Sequence, residues 1–122
     1  DKALLTGDAA ANISQLALSG NNPLYTKVMK LYIHLLGAAA GNLVLQSMAT
    51  GGLILAGGIP PKILPLIQSS DFLQHFEAKG RFRVLLERTP VRICTNINAP
   101  MIGALHYQTM QPEITPLPPV TT

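Results

Sequence analysis

Apolar positions recur at helical spacing along one long stretch of the chain and form short unbroken runs elsewhere. Val28, Leu31, Tyr32, Leu35, Leu36, Ala39 and Leu43 follow an i, i+3, i+4 rhythm, which lines one side of an α-helix. Asn21-Asn22-Pro23 supplies a cap and a first-turn proline for that helix, and Gly51-Gly52 supplies its stop near Met48. At 1.5 Å per residue such a helix is about 35–40 Å long, more than a core of this size needs. Ahead of it, Asp8 is placed to cap a shorter helix over Ala9 to Leu18, closed by Ser19-Gly20.

Beyond the long helix the pattern changes. Leu53-Ile54-Leu55-Ala56 is a run of apolar residues between glycine pairs, the pattern of a buried parallel strand. Helical spacing resumes at Ile63, Leu64, Leu66 and Ile67, with Pro60 or Pro61 suited to the first turn. Ser70-Asp71 reads as the cap of a helix carrying Phe72, Leu73 and Phe76, with Gly80 as its end, and residues 81–88 form one more short amphipathic turn. Val91-Arg92-Ile93-Cys94-Thr95 is a second strand, Asn96 to Pro100 a loop, and Met101 to Tyr107 a closing helix. Two strands joined by a helical crossover are a parallel pair with a right-handed connection, so the fold class is α/β. Two strands are too few for an independent parallel sheet, which points to a larger assembly. Residues 110–122, rich in Pro and Thr without apolar periodicity, read as a disordered tail behind a folded unit over 1–109.

Composition narrows the function classes. The 122 residues carry nine Lys+Arg and six Asp+Glu, a net charge of +3, and only 12% are charged. An average soluble domain has about 25% charged residues, and a disordered chain has more charge and less apolar content. A net charge of +3 neutralises few phosphates, so nucleic-acid binding is not expected, although Lys79, Arg81, Arg83, Arg88 and Arg92 cluster around Phe82. Phe82 itself reads as core. The single Cys94 excludes an internal disulfide framework, fits a reducing cytoplasm, and sits among apolar residues as an inert buried thiol.

No Asp, Glu, Lys or Arg occurs between Lys30 and Lys62. That span is long enough to cross a bilayer, but His34, Asn42, Gln46, Ser47, Thr50 and the Gly51-Gly52 break argue against membrane insertion. In a soluble fold, Gly37-Ala38-Ala39-Ala40-Gly41 lets another element approach the helix backbone closely.

Candidate chemistry is sparse. His34, His75 and His106 are separated along the chain without a second ligand at metal spacing, so no metal site is expected. Ser14, Ser19 and Ser47 lack a nucleophile context. Asp1, Asp8, Asp71, Glu77, Glu87 and Glu113 fall at caps, helix surfaces or the tail, so there is no catalytic constellation. The best local feature is a strand, Gly57-Gly58, then a helix. Ligands of open α/β sheets bind at strand carboxyl ends, and glycines there admit a close approach to backbone N–H groups. A following helix N-terminus favours phosphate. Spacing alone leaves both a plain tight turn and a phosphate or nucleotide contact open, because neither dinucleotide nor P-loop motif is matched. Lys62 reads as a solvated side chain within reach of an anion there.

Three ordered stretches resemble the C-terminal part of bacterial-type glucokinases. They are Leu36-Gly37 to Leu45 followed by Ala49-Thr50-Gly51-Gly52-Leu53-Ile54-Leu55-Ala56-Gly57-Gly58-Ile59-Pro60-Pro61, then Phe76 to Phe82 leading to Thr89-Pro90-Val91, and last Asn98 through Ile102-Gly103-Ala104. The resemblance covers most of 23–107. It implies the C-terminal part of an actin-like (ribonuclease H-like) kinase lobe: a long helix, short parallel strands and flanking helices. It implies transfer of the ATP γ-phosphate to the 6-hydroxyl of glucose, a glycolytic step, with magnesium, in the cytoplasm and in a homodimer. By residue match, Thr50, Gly51, Gly52, Gly57 and Gly58 are nucleotide-side positions. The family's phosphate-binding Asp and Gly-Gly-Thr segment, its Asn-Asp catalytic segment and its sugar contacts lie upstream of the matched region. The expectation is therefore a fragment that meets glucose and ATP through a missing N-terminal part and is inactive alone. The alternative is a stand-alone, non-catalytic α/β module that dimerises through its long helix.

Overall fold

The computed structural model describes residues 9–20 and 22–110. The expected cap Asp8, Asn21 and the tail from 111 lie outside the described residues. Helix α1 spans Ala9–Leu18, α2 Pro23–Ser47, strand β1 Leu53–Leu55, α3 Leu64–Gln68, α4 Phe72–Glu77, α5 Arg83–Glu87, β2 Val91–Ile93 and α6 Ala99–Met110, with a 3₁₀ turn at Gly80–Phe82.

Helix α2 begins as its sequence dictates. Asn22 is extended, its side-chain oxygen accepts from the Leu24 N–H, and Pro23 occupies the first turn. It ends at Met48, which adopts the left-handed conformation (φ 50°) and donates its N–H to the Val44 carbonyl. A residue with a Cβ thus occupies a position that glycine usually fills. Gly51 and Gly52 lie in the turn that follows, where the Gly52 N–H donates to the Ala49 carbonyl.

The side of α2 that faces the chain's own core differs from the expected one. Tyr25, Met29, Ile33, Gly37, Ala40, Gly41 and Val44 are buried, whereas Val28, Leu31, Tyr32, Leu35 and Leu43 are exposed. Both sides of the helix are apolar, so periodicity alone did not distinguish them. Steric fit does. A Cβ built on Gly37 would stand 2.6 Å from the Phe72 carbonyl oxygen, and one on Gly41 would collide with the Phe76 carbonyl oxygen. Helix α4 therefore lies on the backbone of α2 at the Gly37–Gly41 strip, the close approach that the small residues allow. Phe72 and Phe76 fill the space beside it, with ring centroids 6.3 Å apart. Lys79 Nζ donates to the Ala38 carbonyl at 2.8 Å and ties the end of this hairpin to mid-α2.

Ile63, Ile67 and Leu86 complete the core with Ala17 from α1. Thr89, the one buried polar residue among those described, satisfies its hydroxyl on the Leu85 carbonyl at 2.9 Å.

The strands pair in parallel, with Leu53 opposite Val91, Ile54 opposite Arg92 and Leu55 opposite Ile93. The ladder extends through Leu53 N–H to Pro90 and Cys94 N–H to Leu55. Burial of β1 is one-sided. Leu53 and Leu55 are half-buried while Ile54 is 65% exposed, so the expectation of a strand buried on both faces does not hold within this chain.

Four smaller expectations are also corrected. Phe82 is exposed beneath the Arg81 guanidinium, 5.0 Å from the ring centroid. Cys94 is half-buried, one residue past β2, because it lies on the sheet's open end. Asp71 stands at the start of α4 but makes no capping bond, since its φ −85°, ψ 32° is not the extended cap conformation. Pro60 and Pro61 lie in the turn before α3, and Pro65 is the proline in that helix's first turn.

Gly37→Ala is expected to destabilise the fold by about 1–3 kcal/mol, since overpacking against backbone outweighs the helix propensity that alanine adds. Gly103→Ala in α6, where the new Cβ meets open space, is expected to stabilise by up to about 1 kcal/mol. Urea midpoints for the two variants, with unchanged slopes, check both.

Candidate nucleotide-side site

The five sequence-selected residues fall at the two ends of β1. Gly57 and Gly58 follow its carboxyl end, while Thr50, Gly51 and Gly52 precede its amino end. At about 3.3 Å per residue the strand keeps the two groups on the order of 15 Å apart. Gly57 and Gly58 border an open groove of about 500 Å³ between α2 and β1, walled by Tyr32, Leu36, Ala39, Leu43, Ile54 and Ile59. Thr50 borders a separate hollow of about 290 Å³ beside Val84, Leu85, Arg88 and Thr89.

The glycines differ in what requires them. At Gly52 the backbone is left-handed (φ 131°) and a Cβ would press on Pro90 at 3.0–3.1 Å, so the chain's own packing explains the residue. Gly57 needs its freedom for φ 113°, but nothing lies within 4 Å of a built Cβ. Gly58 and Gly51 have neither a left-handed backbone nor a neighbour within 4 Å.

The expected helix N-terminus at this turn is not there. A turn over Ile59 to Ile63, closed by Ile63 N–H to the Ile59 carbonyl, intervenes before α3 starts at Leu64. With α3 only five residues long, its dipole contributes little to an anion at Gly57-Gly58. Lys62 is exposed on that turn and, with Val28, Met29, Tyr32 and Ile63, borders a mostly apolar hollow of about 250 Å³.

The structure also pairs two residues that sequence distance kept apart. His34 of α2 and His75 of α4 stack with ring centroids 4.0 Å apart, because the Gly37 contact sets the two helices close. No group of three potential metal ligands occurs among the described residues. The basic run divides: Lys79 bonds Ala38, Arg81 covers Phe82, and Arg83 pairs with Glu87 at 2.8 Å on the α5 surface.

A family model for glucokinase matches residues 1–111. The chain belongs to the glucokinase family. It is 48% identical over 99 residues to a glucokinase of Trichormus variabilis and 43% identical over 104 residues to one of Synechocystis. These alignments cover 81% and 85% of this chain but 29% of each relative. The chain thus spans less than one third of the length of the curated glucokinases it matches. It also superposes on the crystal structure of a glucokinase from an Antarctic psychrotroph with a TM-score of 0.74 at 34% identity, covering 84% of this chain and 32% of that one. The helices with two short parallel strands thus match a segment of a glucokinase structure.

Gly57→Ala is expected to cost about 1–2 kcal/mol because an L-residue resists φ 113°. Gly58→Ala is expected to stay within about 0.5 kcal/mol of the parent chain. Thermal or urea unfolding of the two variants checks the difference, and makes Gly58→Ala a clean probe of ligand contact.

Proposed function

We propose that this chain is the nucleotide-side portion of a glucokinase that converts ATP and D-glucose to ADP and glucose 6-phosphate. In this reading it is a C-terminal part of an actin-like kinase lobe, with the folded unit over 1–109. Family membership supports the reaction class. The observation that carries the site is Gly58, a glycine at the carboxyl end of a parallel strand whose missing side chain faces open space rather than the chain's own atoms. A close backbone approach by a nucleotide accounts for that glycine. Gly57 shapes the turn, and the groove against α2 offers apolar walls to a flat ring. Thr50 and Gly51, at the other end of β1, contact the nucleotide side through a second surface in this reading, and Gly52 holds that loop against Pro90.

The reaction moves the γ-phosphoryl group from ATP to the glucose O6: the bond to the β-phosphate oxygen breaks, the bond to O6 forms, and the hydroxyl proton leaves to a base. Such transfer is carried by positioning and by charge stabilisation. Among the described residues no group of three His, Cys, Asp or Glu side chains comes together. In this reading the metal, the base and the sugar contacts belong to the rest of the kinase, and the isolated chain is inactive. The whole kinase is cytoplasmic and homodimeric in this reading.

The test replaces the matched segment of the Trichormus variabilis glucokinase with this chain. The chimera is expected to phosphorylate glucose in a coupled assay, and the isolated chain to show no glucose-dependent ADP release. Gly58→Val in the chimera is expected to raise KM for ATP about tenfold, a loss of about 1.4 kcal/mol, with KM for glucose unchanged. An inactive, folded chimera would sink the kinase reading. An unchanged KM for ATP would remove Gly58 from the nucleotide site.

A further inference from the structure

His34 of α2 and His75 of α4 meet as a stacked pair, with ring centroids 4.0 Å apart and planes 23° from parallel. Both residues are half-buried where the two helices touch. Among the described residues neither side chain makes a hydrogen bond or an ion pair. No buried side-chain nitrogen is left without a partner, so the ring nitrogens of both histidines reach solvent. A neutral imidazole carries one nitrogen lone pair able to bind a metal, and here two such rings stand side by side on different helices.

The backbone fixes that arrangement. Gly37 follows His34 by one turn, and a Cβ built on it would stand 2.6 Å from the Phe72 carbonyl oxygen and 3.4 Å from His75 Cβ. Main-chain contact therefore sets the distance between the helices at the pair, whatever the histidines do. Two nitrogens that share one ion at about 2.0–2.1 Å, with an angle of about 90–109° between them, lie about 2.9–3.4 Å apart. Rings with centroids 4.0 Å apart reach that spacing by a side-chain shift of about 1 Å, without movement of either helix. The nearby charges are balanced. Lys30 precedes His34 by one turn, Asp71 precedes His75 by one turn, and both are exposed, while Lys79 is engaged with the Ala38 carbonyl. No third His, Cys, Asp or Glu joins the pair among the described residues, so water completes the coordination.

From this we propose that His34 and His75 form a two-imidazole site for a divalent transition-metal ion, which staples α2 to α4. Imidazole suits copper, nickel and zinc, whereas magnesium and calcium take oxygen donors. The ion is thus distinct from any magnesium that accompanies ATP, and the site stands whether or not the chain acts as part of a kinase. Because the two ligands come from separate helices, an ion bound to the folded chain stabilises the Gly37–Gly41 contact by mass action.

The experiment titrates the full chain with Cu²⁺, Zn²⁺ or Mg²⁺ alone by isothermal calorimetry. One ion per chain is expected for Cu²⁺ and, more weakly, for Zn²⁺, and none for Mg²⁺. His34→Gln and His75→Gln are each expected to weaken Cu²⁺ binding on the order of 100-fold, because each removes the chelate. His106→Gln, on α6, is expected to leave it unchanged. A second measurement needs no variant to fold: substoichiometric Cu²⁺ is expected to broaden the ring-proton NMR signals of His34 and His75 together and to spare His106. No Cu²⁺ binding, equal broadening of all three histidines, binding that survives both glutamine substitutions, binding lost on Cys94→Ser, or a response to Mg²⁺ as strong as that to Cu²⁺ each overturns the proposal.

Discussion

The contact between α4 and the Gly37–Gly41 strip of α2 organises the rest of the chain. With no Cβ on either glycine, the carbonyls of Phe72 and Phe76 reach the α2 backbone. That approach buries both phenylalanines, brings Lys79 to the Ala38 carbonyl and stacks His34 on His75. It also decides which of two apolar sides of α2 turns inward. A larger residue at Gly41 would push α4 off the helix and leave Phe76, the largest fully buried side chain, without its pocket. Small residues at this strip are thus a packing requirement of the α2–α4 contact, and the same spacing also serves helix pairs in lipid.

The orientation of α2 in turn positions the candidate site. The helix runs alongside β1, and the groove between them ends at the Gly57-Gly58 turn. Gly52 meshes with Pro90 at the other end of β1 and sets the register with β2, so the strand leaves its carboxyl end facing open space. The candidate site thus has a glycine turn and an apolar wall, and among the described residues no group of three potential metal ligands comes together. The chain spans 29% of each of these relatives' length.

Much of this was legible in the residues. The Asn22-Pro23 start of α2, the order of helices and strands, the parallel pairing and the tight approach at Gly37 and Gly41 all follow from local rules of capping, periodicity and side-chain size. These features depend on neighbours in sequence, or on the absence of a side chain, and both are visible without coordinates. The family was legible too, through three ordered stretches around Gly51-Gly52, Phe76 to Phe82 and Ile102-Gly103.

Tertiary structure alone decided the rest. An apolar stripe does not say what it faces, and the Val28–Leu35 stripe is solvent-exposed here because the glycine strip outcompetes it for α4. Ile54 is exposed on the uncovered face of the two-stranded sheet, and Phe82 lies outside the core, beneath the Arg81 guanidinium. The five candidate site residues look like one motif in sequence, yet a strand three residues long sets them at opposite ends. The sequence by itself determined the elements and where chains can approach one another. Which surfaces meet is settled by the packing of segments far apart along the chain.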